Sequence, residues 1–174
     1  MIVKEIRDED FTSYKKPSMV IGFPSCSFKC CKEGNLPITT CQNCELAQTN
    51  NIDISVKQIV ERFLSNRITN AIICAGLEPF DSFFDLLSLI TELRKYTDCD
   101  CVIYTGYTKE ELEEGRFYPE NQNSNTRREA YEYLKTFPNI IIKFGRFIPN
   151  QPSHYDDVLG VNLASPNQYA EVIS

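Results

Sequence analysis

The sequence predicts an α/β fold built on a parallel sheet, and three observations carry that expectation. Four short apolar runs are rich in β-branched residues, helical patterns with their own start signals lie between them, and the two kinds alternate along the chain. Strands buried on both faces of a parallel sheet read as nearly continuous apolar segments, which is how these runs read. Strand followed by helix followed by strand predicts right-handed βαβ units, in a sheet that is open or partly closed into a barrel.

The first run, SMVIGF at 18–23, leads into a cysteine-rich loop. Ser55 followed three residues later by Gln58 is a capping-box pair and opens the first long helix. The second run is NAIICAG at 70–76. Asp81 or Ser82 is positioned to cap the helix FFDLLSLITELRKY, in which Phe83, Leu86, Leu87, Ile90 and Leu93 recur on one face. The third run, CVIYTG at 101–106, is followed by another capping pair, Thr108 and Glu111. RFYPENQNSNTRRE at 116–129 reads as a surface loop that ends on a third pair, Thr126 and Glu129. The fourth run is NIIIKFG at 139–145, and the Pro- and Asn-rich tail after Ile148 reads as irregular structure. No repeat, linker or low-complexity tract interrupts the 174 residues, which suit one domain with an ordinary core.

Eighteen basic against twenty-four acidic side chains leave a net charge of -6, with no Lys/Arg run, so nucleic acid is excluded as the expected partner. The first sixteen residues are charged rather than apolar, unlike a signal peptide. No later window approaches the roughly 20 apolar residues of a membrane span. The expected location is the cytoplasm. Clustered cysteines in a reducing compartment are more often metal ligands or redox groups than disulfides. A single histidine, His154, excludes a histidine-rich metal site.

Parallel α/β folds build their sites beyond the carboxyl ends of the strands. Three stretches fall there: the cysteine loop CSFKCCKEGNLPITTCQNCEL at 26–46, CAGLEPFD at 74–81 and YTGYT at 104–108. Five of the eight cysteines sit in the first. Cys26 and Cys30 are separated by three residues and Cys41 and Cys44 by two, so the two pairs can close on one zinc ion or supply thiolates to an iron–sulfur cluster. Gly34, Asn35 and Pro37 make this a polar loop, an unusual place for thiols that merely pack. Cys74 and Cys101 lie inside apolar runs and Cys99 just before one, and these three are expected to be core residues.

An apolar strand ending in Ser25-Cys26-x-x-x-Cys30 resembles the opening of the CxxxCxxC motif of the radical S-adenosylmethionine (SAM) superfamily. Ala75-Gly76-Leu77-Glu78-Pro79 resembles its GGEP motif. Ile103-Tyr104-Thr105-Gly106-Tyr107-Thr108 with Glu110 and Glu111 is similar to the YTGYT-x-E-E-L segment of the activating proteins of anaerobic ribonucleoside-triphosphate reductases. Gly145-Arg146-Phe147 and Ser165-x-Asn167-Gln168 resemble that family's DGRF and S-x-N-Q elements. The correspondence runs, with gaps, from about Met19 to Gln168.

The resemblance implies an incomplete TIM-type barrel, the short chain leaving a side open to a partner's glycine loop. It implies a [4Fe-4S] cluster held by Cys26, Cys30 and one of Cys41 or Cys44, with no catalytic residue beyond the cluster. SAM would be oriented by Gly76 and Glu78, with Tyr104 and Thr105 nearby. The implied activity is reductive cleavage of SAM to place a glycyl radical on a partner such as the reductase's catalytic subunit, with a flavodoxin- or ferredoxin-like electron donor. Two departures stand in the pattern. Glu33 occupies the third cysteine's place, leaving Cys31, Cys41 and Cys44 as candidates, and Phe144 stands where the family's turn has an acid. Two alternatives accompany this expectation: a non-catalytic iron–sulfur or zinc binding module, and a radical SAM enzyme acting on a small molecule.

Overall fold

The computed structural model describes residues 1–115 and 124–174. In chain order the strands are β1 (Ile2–Val3), β2 (Glu5–Asp10), β3 (Ser18–Phe23), β4 (Ile52–Asp53), β5 (Ala71–Gly76), β6 (Asp100–Tyr104), β7 (Ile140–Phe144), β8 (His154–Asp156), β9 (Val161–Leu163) and β10 (Tyr169–Val172). The helices are α1 (Lys29–Glu33), α2 (Cys44–Gln48), α3 (Val56–Ser65), α4 (Phe83–Leu93), α5 (Lys109–Glu114) and α6 (Ser124–Leu134). The main sheet has the order β10-β7-β6-β5-β3-β2. Its middle pairs, β3 with β5, β5 with β6 and β6 with β7, are parallel, while β2 and β10 run antiparallel at the edges.

The period of two along each parallel strand divides its side chains between two buried layers. Ile21, Phe23, Ile72, Cys74, Ile103, Ile142 and Phe144 face a core shared with Ile59, Phe63, Leu86 and Ile90 of the helices. Val20, Ile73, Val102 and Ile141 face the other way, onto Tyr14, Leu159 and Leu163. Burial on both faces is why the four runs look continuously apolar.

Two segments hold strands outside the four apolar runs. Strand β2 is highly charged, EIRDED, yet it pairs along β3. Arg7 reaches Glu5 at 2.9 Å and Asp10 at 2.7 Å, so the charges answer one another, and a charged edge strand resists pairing with other chains. The tail is ordered rather than irregular: β8 and β9 form a hairpin and β10 joins β7. Its organising residue is Asp156, whose buried carboxylate accepts from Leu159 N (2.8 Å) and Ala170 N (2.9 Å).

The capping boxes at Ser55/Gln58 and Thr108/Glu111 both form. The pair Thr126/Glu129 does not open a helix, because α6 already begins at Ser124. Arg127, Ala130, Tyr131 and Leu134 are buried at helical spacing and carry the helix through those positions. Of the loop expected over residues 116–129, the part from 124 is therefore helical, and 116–123 lie outside the described residues. Of the two residues expected to cap α4, Ser82 occupies the N-cap position and Asp81 does not. Pro79–Ser82 form a 3-10 turn, Ser82 makes no capping hydrogen bond, and the Asp81 carboxylate is engaged elsewhere.

Candidate functional site

The cysteine loop leaves the end of β3 through Pro24 and Ser25. Phe28, in the left-handed backbone region at φ 51°, turns the chain into α1, which carries Cys30 and Cys31. A short 3-10 turn at Ile38–Thr40 then delivers Cys41, and Asn43 precedes α2 with Cys44 at its start. Cys26, Cys30 and Cys41 line one cavity of about 370 Å³ at the carboxyl ends of the parallel strands. Gly76, Glu78, Tyr104 and Thr105 line the same cavity. Cys44 is outside that lining, and Cys31 is buried in the loop's own packing with its sulfur 4.0 Å from that of Cys30.

The three thiols have different electrostatic surroundings. Cys30 and Cys41 act on one another: the Cys41 thiol lowers the pKa of Cys30, while Cys30, together with burial, raises that of Cys41. Burial pushes Cys26 up to about 12, although Phe28 N donates to its sulfur at 3.2 Å. Cys74 and Cys101 are fully buried in the helix-side core and Cys99 packs against it, with desolvation raising all three thiols.

Gly76 ends β5 at φ +90°, and a Cβ there would lie 2.7 Å from Gly22 Cα and 2.8 Å from Phe23 N. Only glycine allows the second loop to pass this close to the first. Leu77 N then donates to Phe23 O (3.3 Å) and Glu78 N to Ser25 O (2.8 Å), while Asn43 Nδ2 donates to Gly76 O at 2.5 Å.

The Glu78 carboxylate is buried and accepts from Phe80 N (3.1 Å), Thr105 Oγ1 (2.8 Å) and Gly106 N (2.9 Å). Burial, with the charge of Asp81 added, pushes its pKa up to about 7 against the pull of those donors. Glu78 is thus both the cap of the turn at Pro79–Ser82 and part of the cavity wall. Thr105 supports Glu78 and also accepts from Tyr107 N at 3.0 Å. Tyr104 is held by a bond from its hydroxyl to Ser13 O at 2.5 Å.

Several residues of this region had no expected site role. Asp81 accepts from Ser27 N (2.6 Å), Tyr107 Oη (2.7 Å) and Arg127 Nη2 (2.8 Å), which ties the cysteine loop to the loop after β6 and to α6. Glu111 of α5 pairs with Lys29 and with Arg146 (2.5 Å), and Arg146 Nε lies 2.7 Å from Glu33, at an angle too poor for a hydrogen bond. The turn carrying Arg146 is wrapped by the tail, where Asn167 Nδ2 donates to Arg146 O (2.8 Å) and Gln168 Nε2 to Gly145 O (3.4 Å). Phe144, in place of the family's acid, is a core residue packed edge-on against Tyr131. Lys143 also lines the cavity, buried, donating to Gly145 O at 2.8 Å, with its pKa lowered to about 8 by desolvation. A signal for it existed: a lysine interrupts the otherwise apolar run IIIKF, two residues after Ile141 and so on the same face.

Three thiols line the cavity and no imidazole does, which suits iron–sulfur chemistry. Among the described residues, no three His, Cys, Asp or Glu side chains gather around one point as they would for a single ion. No described helix is long and apolar enough to cross a membrane. No curated protein or solved structure is significantly similar to the chain. The model of the family described as the 4Fe-4S single cluster domain matches residues 19–149, a span that begins in β3, takes in the whole cysteine loop and ends just beyond Arg146. With that match over most of its length, the chain belongs to the 4Fe-4S single cluster domain family.

Proposed function

We propose that the protein is a radical SAM enzyme of the glycyl-radical-activating type, acting in the cytoplasm on a partner such as the catalytic subunit of an anaerobic ribonucleotide reductase. Cys26, Cys30 and Cys41 hold the cluster in this reading, Cys44 and Cys31 stand outside it, and the sheet is the wall of an incomplete barrel. The observation that carries it is the convergence on one cavity of three thiols from the first loop and a buried glutamate from the second. A [4Fe-4S] cluster with one open iron supplies the electron for reductive cleavage of SAM, and so the radical that takes hydrogen from a glycine.

The chain's own residues bind and orient. Glu78, ionised, accepts from the ammonium of SAM through lone pairs that its three protein donors leave free. Thr105 and Gly106 fix the carboxylate so that little reorganisation accompanies binding. Tyr104, Ile73 and Val20 form the sheet-side wall and exclude water. A flavodoxin- or ferredoxin-like protein is the electron donor.

One observation favours a second reading. Three protein hydrogen bonds already satisfy Glu78 as a structural cap, as a non-catalytic binding module would require. The two readings part on one experiment. Anaerobically reconstituted protein should hold about four irons per chain and, once reduced, cleave SAM to methionine and 5'-deoxyadenosine. With the catalytic subunit of an anaerobic ribonucleotide reductase present, an electron paramagnetic resonance signal of a glycyl radical should appear. A reduced, intact cluster that never cleaves SAM supports the module, whereas cleavage without a protein radical points to a small-molecule substrate.

A further inference from the structure

The parallel strands carry two charged side chains, Asp100 and Lys143. Asp100 is answered at its end of the sheet by Lys16 at 2.6 Å and by the Tyr14 hydroxyl at 2.7 Å. Lys143 is not: among the described residues no carboxylate pairs with it, and its single hydrogen bond goes to the carbonyl of Gly145. An ammonium has three donors, so two are left unused. Its register opposite Tyr104 on the face of Val102 and Ile141 sets it at the carboxyl end of the strands, where the cavity opens. A buried charge without a counterion is unfavourable, and it persists where something on the surface it faces answers it.

Lys143 and Glu78 are both buried and line the same cavity, beside Cys30. An ammonium donor and a carboxylate acceptor lining one cavity complement a zwitterion: an α-amino acid group, with its own ammonium toward Glu78 and its carboxylate toward Lys143. The neighbouring cations do not compete for that task. Arg146 is engaged by Glu33 and Glu111, and Arg7 by Glu5 and Asp10. We infer that Lys143 is the anchor for the carboxylate of an α-amino acid group bound in this cavity, which under the proposed function is the methionyl end of SAM. The assignment rests on that function for the ligand's identity and on the placing of Lys143 and Glu78 in one cavity lining for its chemistry.

Equilibrium dialysis on the anaerobically reconstituted protein tests it, with SAM and decarboxylated SAM as probes. In Lys143→Met the affinity for SAM should fall roughly ten- to a hundredfold, the effect of losing a hydrogen bond between charged groups. The affinity for decarboxylated SAM should stay as in the parent, because that ligand lacks the group Lys143 holds. Lys143→Arg should keep most of the preference for the carboxylated ligand, and iron content should match the parent in every variant compared. Lys143→Gln replaces the methionine variant if that one does not fold. Equal losses for the two ligands would make Lys143 a packing residue, and undiminished SAM affinity would remove it from the binding site; either result overturns the assignment alone. A parent protein that holds its cluster and binds no SAM overturns the proposed function together with it, so the two failures are told apart.

Discussion

Replacing Glu78 by glutamine should change how the stability of the cluster-free protein depends on pH, and the structure gives the size of the change. The carboxyl group ionises at about 7 in the folded chain, against 4.5 for an ordinary glutamate, because burial and the charge of Asp81 outweigh three hydrogen bonds. Below the ordinary value, folded and unfolded chains both hold the proton. As pH rises toward 7 the unfolded chain releases it and the folded chain does not, so the unfolded state binds fewer protons and stability falls. A shift of about 2.5 units at roughly 1.36 kcal/mol each gives a loss of about 3 kcal/mol, complete once pH has passed the folded value. Lys143, lowered to about 8, titrates mainly above this window, and the carboxylates held low by cations, Glu111 and Asp100 among them, titrate below it in parent and variant alike.

Glu78→Gln removes the titration and keeps the volume. It also turns an amide donor or a weaker acceptor toward Phe80 N, Thr105 and Gly106 N, at a pH-independent cost of about 1–3 kcal/mol. Urea unfolding of both proteins at a series of pH values separates the two effects. The parent should lose about 3 kcal/mol relative to the variant between the ordinary and the shifted pKa, whatever the constant offset. Parallel profiles would refute the reasoning, since they would mean that Glu78 is ionised throughout and its burial is offset in the fold.

Single replacements should sort the cysteines: Cys26→Ala, Cys30→Ala and Cys41→Ala should abolish cluster assembly, read as iron per chain, and Cys44→Ala should retain it. Cys74→Ala and Cys101→Ala should keep full iron content and cost about 1 kcal/mol each in urea unfolding, as small core truncations do. Asp81→Asn should be far more damaging, about 3–5 kcal/mol, because it breaks a buried ion pair and weakens the bonds that Ser27 N and the Tyr107 hydroxyl donate to the same carboxylate. A thermal midpoint within a few degrees of the parent would refute the role of Asp81 as the junction of three elements.

The central strands could be read from the sequence because burial on two faces makes a strand apolar at every position, and β3 and β7 are buried throughout. The edge strands could not. In β2 the charges pair along the strand, and in the tail Asp156, Ser165 and Gln168 bond to backbone, so polar composition hides ordered structure. Helix starts were legible where the cap is local, as at Ser55 and Thr108, and misread at Asp81, whose partners are 54, 26 and 46 residues away. The site followed the same rule. Glu78 and the cysteines announce themselves by type and spacing, whereas the pairing of Lys143 with the cavity depends on register across β6 and β7, which one strand's sequence does not contain.

Those distant bonds also explain how Cys41 reaches the cavity despite ten intervening residues after Cys30. The loop contributes few core side chains, and what fixes it is polar. Ser27 N is bound by Asp81, Ser25 O by Glu78 N, Lys29 by Glu111, and Asn43 closes onto Gly76 O. Each of these anchors except Asn43 lies at or before α1, so residues 34–40 span between two fixed points. Lengthening such a span costs little, since closure entropy grows only with the logarithm of loop length. The position of the third thiol is therefore set by Asn43 docking on the β5 turn rather than by its count from Cys30. That turn is open to Asn43 because Gly76, in a backbone conformation that suits only glycine, lets the second loop run against the first.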